Sequence, residues 1–238
     1  MIINNCIQKG VWPDVFKVEI VTPVKKVPNP QDIDDLRNIS GLMNFNKVME
    51  KLICPLIVED MKSSLDRTQF ANQPGLSTQH YLIKLIDRIL SVTDNSSKGE
   101  CVAVLATLID WKKAFPMQDH TLGVQSFIRN GVRASLIPIL ASFLEKRSMR
   151  VAWRGKLSSE RPLPGSGPQG SSWGILEYLS QSNDSADNVP EADRAKFMDD
   201  LTILEIIFLA TVGLASHHFR RHVSTNIAEH TTFVPNEH

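Results

Sequence analysis

An acidic pair between two apolar runs constrains this 238-residue chain more than any other stretch. Phe197 and Met198 precede Asp199 and Asp200, and the apolar, strand-forming residues 201–204 follow. This pattern predicts a β-hairpin with an acidic tip. Two neighbouring carboxylates repel each other unless a cation lies between them, so the pair indicates a site for a divalent metal ion. Asp-Asp pairs also occur in solvated turns, and the rest of the chain has to decide between the two interpretations.

The composition is that of an ordinary globular protein, with 42% hydrophobic and 22% charged residues. Lys+Arg and Asp+Glu both number 26, so a nucleic-acid-binding surface has to be local. The three cysteines are far apart and show no CxxC spacing, which argues against a disulfide scaffold or a zinc site. We see no signal peptide, and the longest apolar run, 201–215, is too short to span a bilayer. These features predict an intracellular location, nuclear or cytoplasmic.

The order of the predicted helices and strands suggests an α+β (mixed α/β) fold with a mixed sheet. Helices are expected over 45–66, with an interruption near Pro55, and over 78–93, 120–130, 134–146 and 173–181. Extended segments are expected over 11–27, 101–110 and 149–158. A hairpin over 196–204 is expected to lead into an apolar helix that ends near residue 222. The polar segments 28–37, 69–77, 94–99 and 182–194 are expected to be loops, and 223–238 to be irregular.

The run CVAVLATLID, residues 101–110, is almost entirely apolar and ends in one acid. It predicts a central buried strand that delivers Asp110 at its C-terminal end. If this strand neighbours the hairpin, Asp110, Asp199 and Asp200 share one end of the sheet. Such carboxylates suit Mg²⁺, and two ions would clamp the attacking and leaving oxygens of a displacement at phosphorus. Mn²⁺ is the alternative metal.

Three motifs resemble those of reverse transcriptases. Residues 109–115, IDWKKAF, resemble the first catalytic motif, in which an aromatic residue stands five positions after the Asp. Residues 167–170, GPQG, resemble the Pro-Gln-Gly motif, and residues 197–200, FMDD, resemble the aromatic-x-Asp-Asp motif.

Further similarities lie upstream and between these motifs. Residues 23–26 (PVKK) and 36–40 (LRNIS) resemble motifs of the fingers, and Gln69-Phe70 resembles the start of a "QFG" segment. Residues 143–147, FLEKR, resemble an "FLxxR" segment typical of non-LTR retrotransposons. Because the matches are collinear from about residue 20 to 205, the chain resembles the fingers and palm of a non-LTR (LINE-type) reverse transcriptase. Residues 1–99 then correspond to fingers, 100–222 to palm with an antiparallel sheet, and 223–238 to a tail.

The resemblance implies that the chain is an RNA-directed DNA polymerase that binds dNTPs and a primer on an RNA or DNA template. Asp110 and Asp199 are expected to hold two Mg²⁺ ions, with Asp200 beside them. Phe115 is expected to lie under the sugar and to exclude a 2′-hydroxyl; a core aromatic is the alternative. Gln169 is expected to contact the nucleotide or template, and Gly170 to allow close backbone approach.

The resemblance also implies basic contacts. Arg37 is expected to pair with the triphosphate, since a guanidinium matches phosphate bidentately; a local salt bridge to Asp34 or Asp35 is the alternative. Either Lys25, which we favour slightly, or Lys26 is expected to assist, unless both belong to a solvated strand end. The main chain from Trp111 to Ala114 is expected to approach the triphosphate. A set of arginines near Trp153 is expected to contact nucleic-acid phosphates, with a solvated hairpin face as the alternative: Arg147, Arg150 and Arg154.

The chain also departs from the family pattern. We find no counterpart of the later palm motif, the primer grip or the thumb, so we expect a fragment with weak or no processive activity. A retroelement relic that keeps the fold and at most binds nucleic acid is one alternative function. An RNA-dependent RNA polymerase is another. His217, His218 and His222 are interpreted as a helix end and not as a metal site.

Overall fold

The computed structural model describes residues 2–94, 101–111, 114–163, 165 and 170–209. Their helices are α1 (Ile2–Lys9), α2 (Asn44–Met61), α3 (Thr78–Asp94), α4 (His120–Arg129), α5 (Ile137–Leu144) and α6 (Ser172–Gln181). Their strands are β1 (Val18–Lys25), β2 (Leu36–Gly41), β3 (Cys101–Asp110), β4 (Ser148–Trp153), β5 (Lys156–Leu157), β6 (Arg161–Pro162), β7 (Arg194–Phe197) and β8 (Asp200–Leu209). The predicted mixed α/β class is confirmed. No helix in these ranges is long and apolar enough to cross a membrane.

The chain forms two compact units, and each unit combines two separate stretches of sequence. The first contains Met1–Asp66 and Lys112–Asn183, and the second contains Arg67–Trp111 and Asp184–His238. The division into fingers and palm near residue 99 stays a prediction. The predicted tail 223–238 lies outside the described residues.

The first unit contains a mixed sheet of order β2-β1-β4-β5, with β6 paired to β4. β1 is antiparallel to β2 and parallel to β4. Three buried aromatic residues pack against one another in this unit. One follows α1, and the other two belong to α5 and α6. Trp12 lies edge-on to Phe143 at 4.8 Å and to Trp173 at 5.0 Å, whereas Phe143 and Trp173 stack at 4.6 Å between ring centroids.

The interruption predicted in α2 is wrong, because the helix continues through Pro55. Proline removes one backbone hydrogen bond from a helix. The buried face of α2 includes Met49, Ile53 and Ile57, all with 0% exposure. Packing of this face stabilises the helix more than the missing hydrogen bond destabilises it.

The single strand predicted over 149–158 is also wrong, because the segment forms a hairpin of β4 and β5. Arg154 and Gly155 make its two-residue turn, with φ angles of +48° and +76°. Two consecutive left-handed residues are the geometry that matches the twist of a tight hairpin. Apolar alternation persists across such a turn, so the pattern alone did not reveal it.

The second unit contains an antiparallel sheet of order β3-β8-β7 and the helix α3. β3 and β8 pair along their whole length, from Cys101 opposite Leu209 to Asp110 opposite Asp200. The predicted α3 and the predicted hairpin are both present. A small buried cluster lies on one face of the sheet and consists of Val189, Leu201 and Ile203.

Two predictions for this unit are wrong. β3 is the edge strand of the described sheet and not a central buried strand, and Leu108 is 77% exposed. A continuous apolar run shows that a strand has apolar side chains, but it does not show whether one or two strands pair with it. Residues 205–209 continue β8 and do not begin a helix, since they pair with β3. The rest of that predicted helix, with its histidines, lies outside the described residues.

Candidate active site

The register between β3 and β8 brings two predicted acidic residues together. Asp110, the last residue of β3, lies directly opposite Asp200, the first residue of β8. Asp200 is also paired with Phe197, so Met198 and Asp199 form the two-residue turn of the β7–β8 hairpin. The acidic tip predicted from sequence therefore consists of Asp199 in the turn and Asp200 at the start of a strand.

The electrostatics of this corner are those of crowded carboxylates. Directly opposite residues in an antiparallel pair have Cβ atoms about 4.5–5.5 Å apart, so Asp110 and Asp200 face each other closely. The pKa of Asp200 is raised, first by burial and then by the charges of Asp199 and Asp110. Both Asp110 and Asp200 are exposed and Asp199 is half-buried, which leaves the corner open to solvent ions.

The donor set of this corner fits Mg²⁺. Magnesium binds carboxylate oxygens and is usually held by one or two carboxylates, with waters or substrate phosphates completing its shell. Two facing acids meet that requirement, and a cation between them relieves their repulsion. Within the described ranges, no group of three or more His, Cys, Asp or Glu side chains is gathered as a ready metal cage. Asp110 and Asp200 are cross-strand partners, and Asp199 is the additional acid on the turn.

The sequence analysis missed one residue that braces the hairpin. Tyr81 on α3 shares a hydrogen bond of 2.5 Å between its hydroxyl and that of Thr202 on β8. Its ring also lies edge-on to Phe197, at 6.0 Å, and to Phe70, at 6.1 Å. A tyrosine on a helix face is a common core residue, so only the structure reveals this contact.

The predicted triphosphate contacts lie on β1 and β2 of the first unit. Lys25 is opposite Leu36, and Arg37 is opposite Val24. Successive residues of a strand point to opposite faces, so Lys25 and Arg37 belong to different faces of the sheet. All three basic residues, Lys25, Lys26 and Arg37, are exposed.

The acids near Arg37 are engaged in the local turn. Asp35 Oδ2 accepts hydrogen bonds from the backbone N–H groups of Gln31, at 2.8 Å, and Asp32, at 3.1 Å. These backbone hydrogen bonds lower the pKa of Asp35. Lys26 Nζ donates to the carbonyl oxygen of Asp34 at 3.0 Å. The turn between β1 and β2 is thus shaped by Asp35 as an acceptor for backbone groups.

The remaining predicted nucleotide contacts are placed only in part. Phe115 is half-buried and its ring lies 5.1 Å from that of Tyr178. Trp111 directly follows β3 and is half-buried. Gly170 has a φ of +117°, and a Cβ there would lie 3.1 Å from the carbonyl oxygen of Ser40, so glycine is required. Gln169 lies outside the described residues.

Two curated proteins of Drosophila melanogaster match most of this chain. The "probable RNA-directed DNA polymerase from transposon X-element" is 28% identical over 214 residues, which cover 85% of this chain and 22% of that protein. The "RNA-directed DNA polymerase from mobile element jockey" is 28% identical over 230 residues, which cover 91% of this chain and 24% of that protein. No family model matches the chain.

The predicted resemblance to non-LTR reverse transcriptases is confirmed. The chain spans less than a quarter of the length of these two relatives.

The fold has a solved counterpart. The structure of an apo telomerase from Candida tropicalis, truncated from its C-terminal domain, matches 92% of this chain and 47% of its own, with a TM-score of 0.54 and 10% identity. At this identity the likeness concerns the fold alone: the mixed α/β fold of this chain resembles part of that telomerase.

One arginine of the reverse-transcriptase-like FLxxR segment contradicts its predicted role. Arg147 is only 1% exposed, so it does not contact nucleic acid. Its guanidinium lies 4.5 Å from the centroid of the Phe143 ring, and its Nη1 donates to the Phe143 carbonyl at 3.1 Å. The sequence does not reveal the burial of Arg147, because it lies among other basic residues. Lys146, Arg150 and Arg154 are exposed or half-buried.

Arg147 instead lies within the electrostatic influence of buried acids. The charges of Glu19, Glu50 and Glu177 act on Arg147, and all three acids are at most 2% exposed. Burial raises the pKa of Glu50 and raises that of Glu177 to about 8. Glu50 also accepts from Ser171 Oγ, at 2.8 Å, so this buried cluster fixes the start of α6.

The other two predicted nucleic-acid contacts stay open to solvent. Arg154 is exposed at the tip of the β4–β5 hairpin, with its guanidinium 5.8 Å from the ring of Trp153. Arg150 lies 3.4 Å from Glu160 in an ion pair whose side chains are 43% and 45% exposed. An ion pair this exposed contributes little to stability. Breaking it so that Arg150 binds a phosphate would therefore cost little free energy.

Proposed function

We propose that the chain is the catalytic part of an RNA-directed DNA polymerase, which adds deoxynucleotides to a primer 3′-hydroxyl. The observation that carries the proposal is the pairing of Asp110 with Asp200, next to Asp199 on the hairpin turn. Relatives named RNA-directed DNA polymerases support it.

The residues that would hold Mg²⁺ are Asp110, Asp199 and Asp200. When bound, the metal supplies Lewis-acid stabilisation of charge on the transferring phosphoryl group. The side chains of these residues provide the negative, exposed corner that concentrates the cation. Asp199 lies in the two-residue turn, between the paired residues Phe197 and Asp200.

Other residues of the chain would select and bind the nucleotide. Phe115 is held by its contact with Tyr178, and a ring fixed in this way excludes a 2′-hydroxyl by its volume. Arg37 would pair with the triphosphate, assisted by Lys25 or Lys26. Gln169, Gly170 and the main chain at Trp111 would complete the nucleotide contacts.

Arg150 and Arg154 would contact nucleic-acid phosphates through the hairpin of β4 and β5. Arg154 is exposed, and the Arg150 side chain is 43% exposed, which supports this part of the proposal. Such contacts are electrostatic, and binding of a primer–template should therefore weaken steeply as salt is raised.

Primer extension on an RNA template tests the proposed activity. The chain is given Mg²⁺ with dNTPs or NTPs in parallel reactions. We expect dNTP incorporation, and a loss of at least about a hundredfold in Asp199→Asn, because charge stabilisation at phosphorus contributes several kcal/mol. Asp87→Asn is the matched control, since Asp87 is exposed on α3.

Three outcomes would contradict the proposal. Primer–template binding without incorporation by the wild-type chain would show a relic that keeps only nucleic-acid binding. Incorporation of ribonucleotides as readily as deoxynucleotides would identify an RNA polymerase. Full activity in Asp199→Asn would remove the assigned acid from the mechanism.

A further inference from the structure

The turn that carries Asp199 adopts a conformation that the backbone disfavours. Met198 has a φ of +56°, in the left-handed region. A side chain with a Cβ destabilises this region, which is why glycine and asparagine usually occupy it. Such a conformation persists at a functional site when neighbouring groups hold it.

The group that holds this turn is the side-chain amide of Gln69. Its Oε1 accepts from the Met198 N–H at 3.1 Å, and its Nε2 donates to the Met198 carbonyl at 3.4 Å. The amide therefore binds both backbone polar groups of Met198. The same Oε1 accepts from the Ala71 N–H at 3.0 Å, which fixes the orientation of the amide.

The backbone around Gln69 is itself fixed to the hairpin. Lys196 N–H donates to the Thr68 carbonyl at 2.8 Å, and Phe70 N–H donates to the Lys196 carbonyl at 2.9 Å. Gln69 therefore lies alongside β7 in a parallel bridge and is only 5% exposed. A buried glutamine that is held at its backbone and bonded through both ends of its amide has little freedom to move.

We propose that Gln69 is a positioning residue, whose amide fixes the backbone of Met198 and thereby places the Asp199 carboxylate beside Asp110 and Asp200. This role rests on the proposed polymerase function and assigns it one more residue. Gln69 itself touches neither substrate nor metal. A glutamine suits the role because it carries one donor and one acceptor, as a peptide group does.

The decisive variant is Gln69→Met, which keeps the length of the side chain and loses its hydrogen bonds. Amide hydrogen exchange in the full chain gives a readout that does not depend on activity. We expect the protection of the Met198 amide to fall about tenfold, the effect of losing one hydrogen bond. The Lys196 amide should keep its protection, because its bond to Thr68 is a backbone bond. Gln79→Met, at an exposed position of α3, is the matched control.

Two further readouts separate positioning from simple support of the fold. In primer extension, we expect kcat for Gln69→Met to fall about 10- to 100-fold while KM for dNTP changes less than about threefold, since a misplaced acid slows chemistry and not binding. Affinity for Mn²⁺ alone, measured by electron paramagnetic resonance, should fall several-fold in the same variant.

A second variant covers the case in which Gln69→Met unfolds. Gln69→Glu keeps the acceptor for the Met198 N–H. It replaces the donor to the Met198 carbonyl with a carboxylate oxygen, which repels that carbonyl. We expect it to retain amide protection at Met198 and to lose kcat.

Unchanged Met198 protection in Gln69→Met would overturn the proposal, and so would lost protection with unchanged kcat and unchanged Mn²⁺ affinity. If the wild-type chain extends no primer, the proposed function fails by itself. Amide exchange and Mn²⁺ binding then still decide whether Gln69 positions Asp199.

Discussion

Asp110 and Asp200 are direct cross-strand neighbours at the end of the β3–β8 ladder. Like charges placed opposite each other destabilise an antiparallel pair. The pKa of Asp200 is raised, in part by this neighbour. Repulsion between the two acids therefore destabilises the fold at the corner where a cation would bind.

Replacing one of these acids should stabilise the chain in the absence of metal. In EDTA, we expect Asp200→Asn to raise the free energy of unfolding by about 0.2–1 kcal/mol, because it removes the repulsion from Asp110. Added Mg²⁺ should then stabilise the wild type more than the variant, since a ligand stabilises the state that binds it. Urea unfolding with and without Mg²⁺ measures both effects. Asp87→Asn should show neither, and equal Mg²⁺ stabilisation of wild type and Asp200→Asn would contradict a metal site at this corner.

The buried arginine should matter for stability more than any exposed arginine of the same segment. Arg147→Met leaves Glu19, Glu50 and Glu177 without their buried positive charge, so we expect a loss of about 3–5 kcal/mol in the free energy of unfolding. Arg154→Met, at the exposed hairpin tip, should change stability by less than about 0.5 kcal/mol. Urea denaturation of the two variants provides the comparison. A loss in Arg154→Met as large as that in Arg147→Met would show that burial does not determine the difference.

Glu177 should make the stability of the chain depend on pH. Burial raises its pKa from the ordinary 4.5 to about 8, and the charge of Asp119 adds to this, while Arg147 opposes it. Between pH 4.5 and about pH 8, Glu177 keeps its proton in the folded state and releases it in the unfolded state. The contribution of Glu177 is therefore most favourable below pH 4.5, falls as pH rises, and reaches its minimum above about pH 8.

Glu177→Gln should remove this pH dependence. We expect the variant to exceed the wild type in unfolding free energy at pH 9 by a few kcal/mol, and by much less at pH 5. Thermal or urea unfolding across this range measures the difference. Glu191→Gln, at an exposed position, should follow the wild type at every pH. A constant offset between wild type and Glu177→Gln from pH 5 to pH 9 would show that Glu177 does not titrate in this way.

Sequence patterns predicted the parts of the molecule that local chemistry determines. The β7–β8 hairpin follows from two apolar runs with an acidic interruption, and α3 follows from apolar residues at helical spacing after a capping position. The encounter of Asp110 with Asp200 was conditional on strand adjacency, which a one-dimensional pattern does not contain. The structure supplies that adjacency through the register of β3 and β8.

The errors share a physical origin, because each depends on what surrounds a segment. Arg147 belongs to a run of basic residues, and only packing against Phe143 makes it a core residue. β3 is apolar enough for a central strand, yet it lies at the edge of the described sheet. Gln69 belongs to the segment that resembles a "QFG" motif, but its partner Met198 is 129 residues away along the chain. No local pattern reveals a hydrogen bond of that separation.

The register of β1 and β2 predicts which lysine assists Arg37. Lys25 is opposite Leu36 and so lies on the other face from Arg37. The backbone N–H of Lys26 donates to the Asp35 carbonyl at 2.8 Å, one residue beyond the last ladder pair. By alternation, we expect Lys26 to lie on the face of Arg37. Lys26, and not Lys25, should therefore share a triphosphate with Arg37.

Steady-state primer extension distinguishes the two lysines. We expect Arg37→Ala and Lys26→Ala each to raise KM for dNTP about tenfold, the loss of one charge-assisted contact of about 1.5 kcal/mol. Lys25→Ala should raise KM less than about threefold and is the matched control, since Lys25 is the adjacent lysine and is also exposed. A double variant of Arg37 and Lys26 should lose less than the sum of the single losses if both contact one phosphate group. A larger effect of Lys25→Ala than of Lys26→Ala would mean that the nucleotide approaches the opposite face of this sheet, and that Arg37 is not its partner.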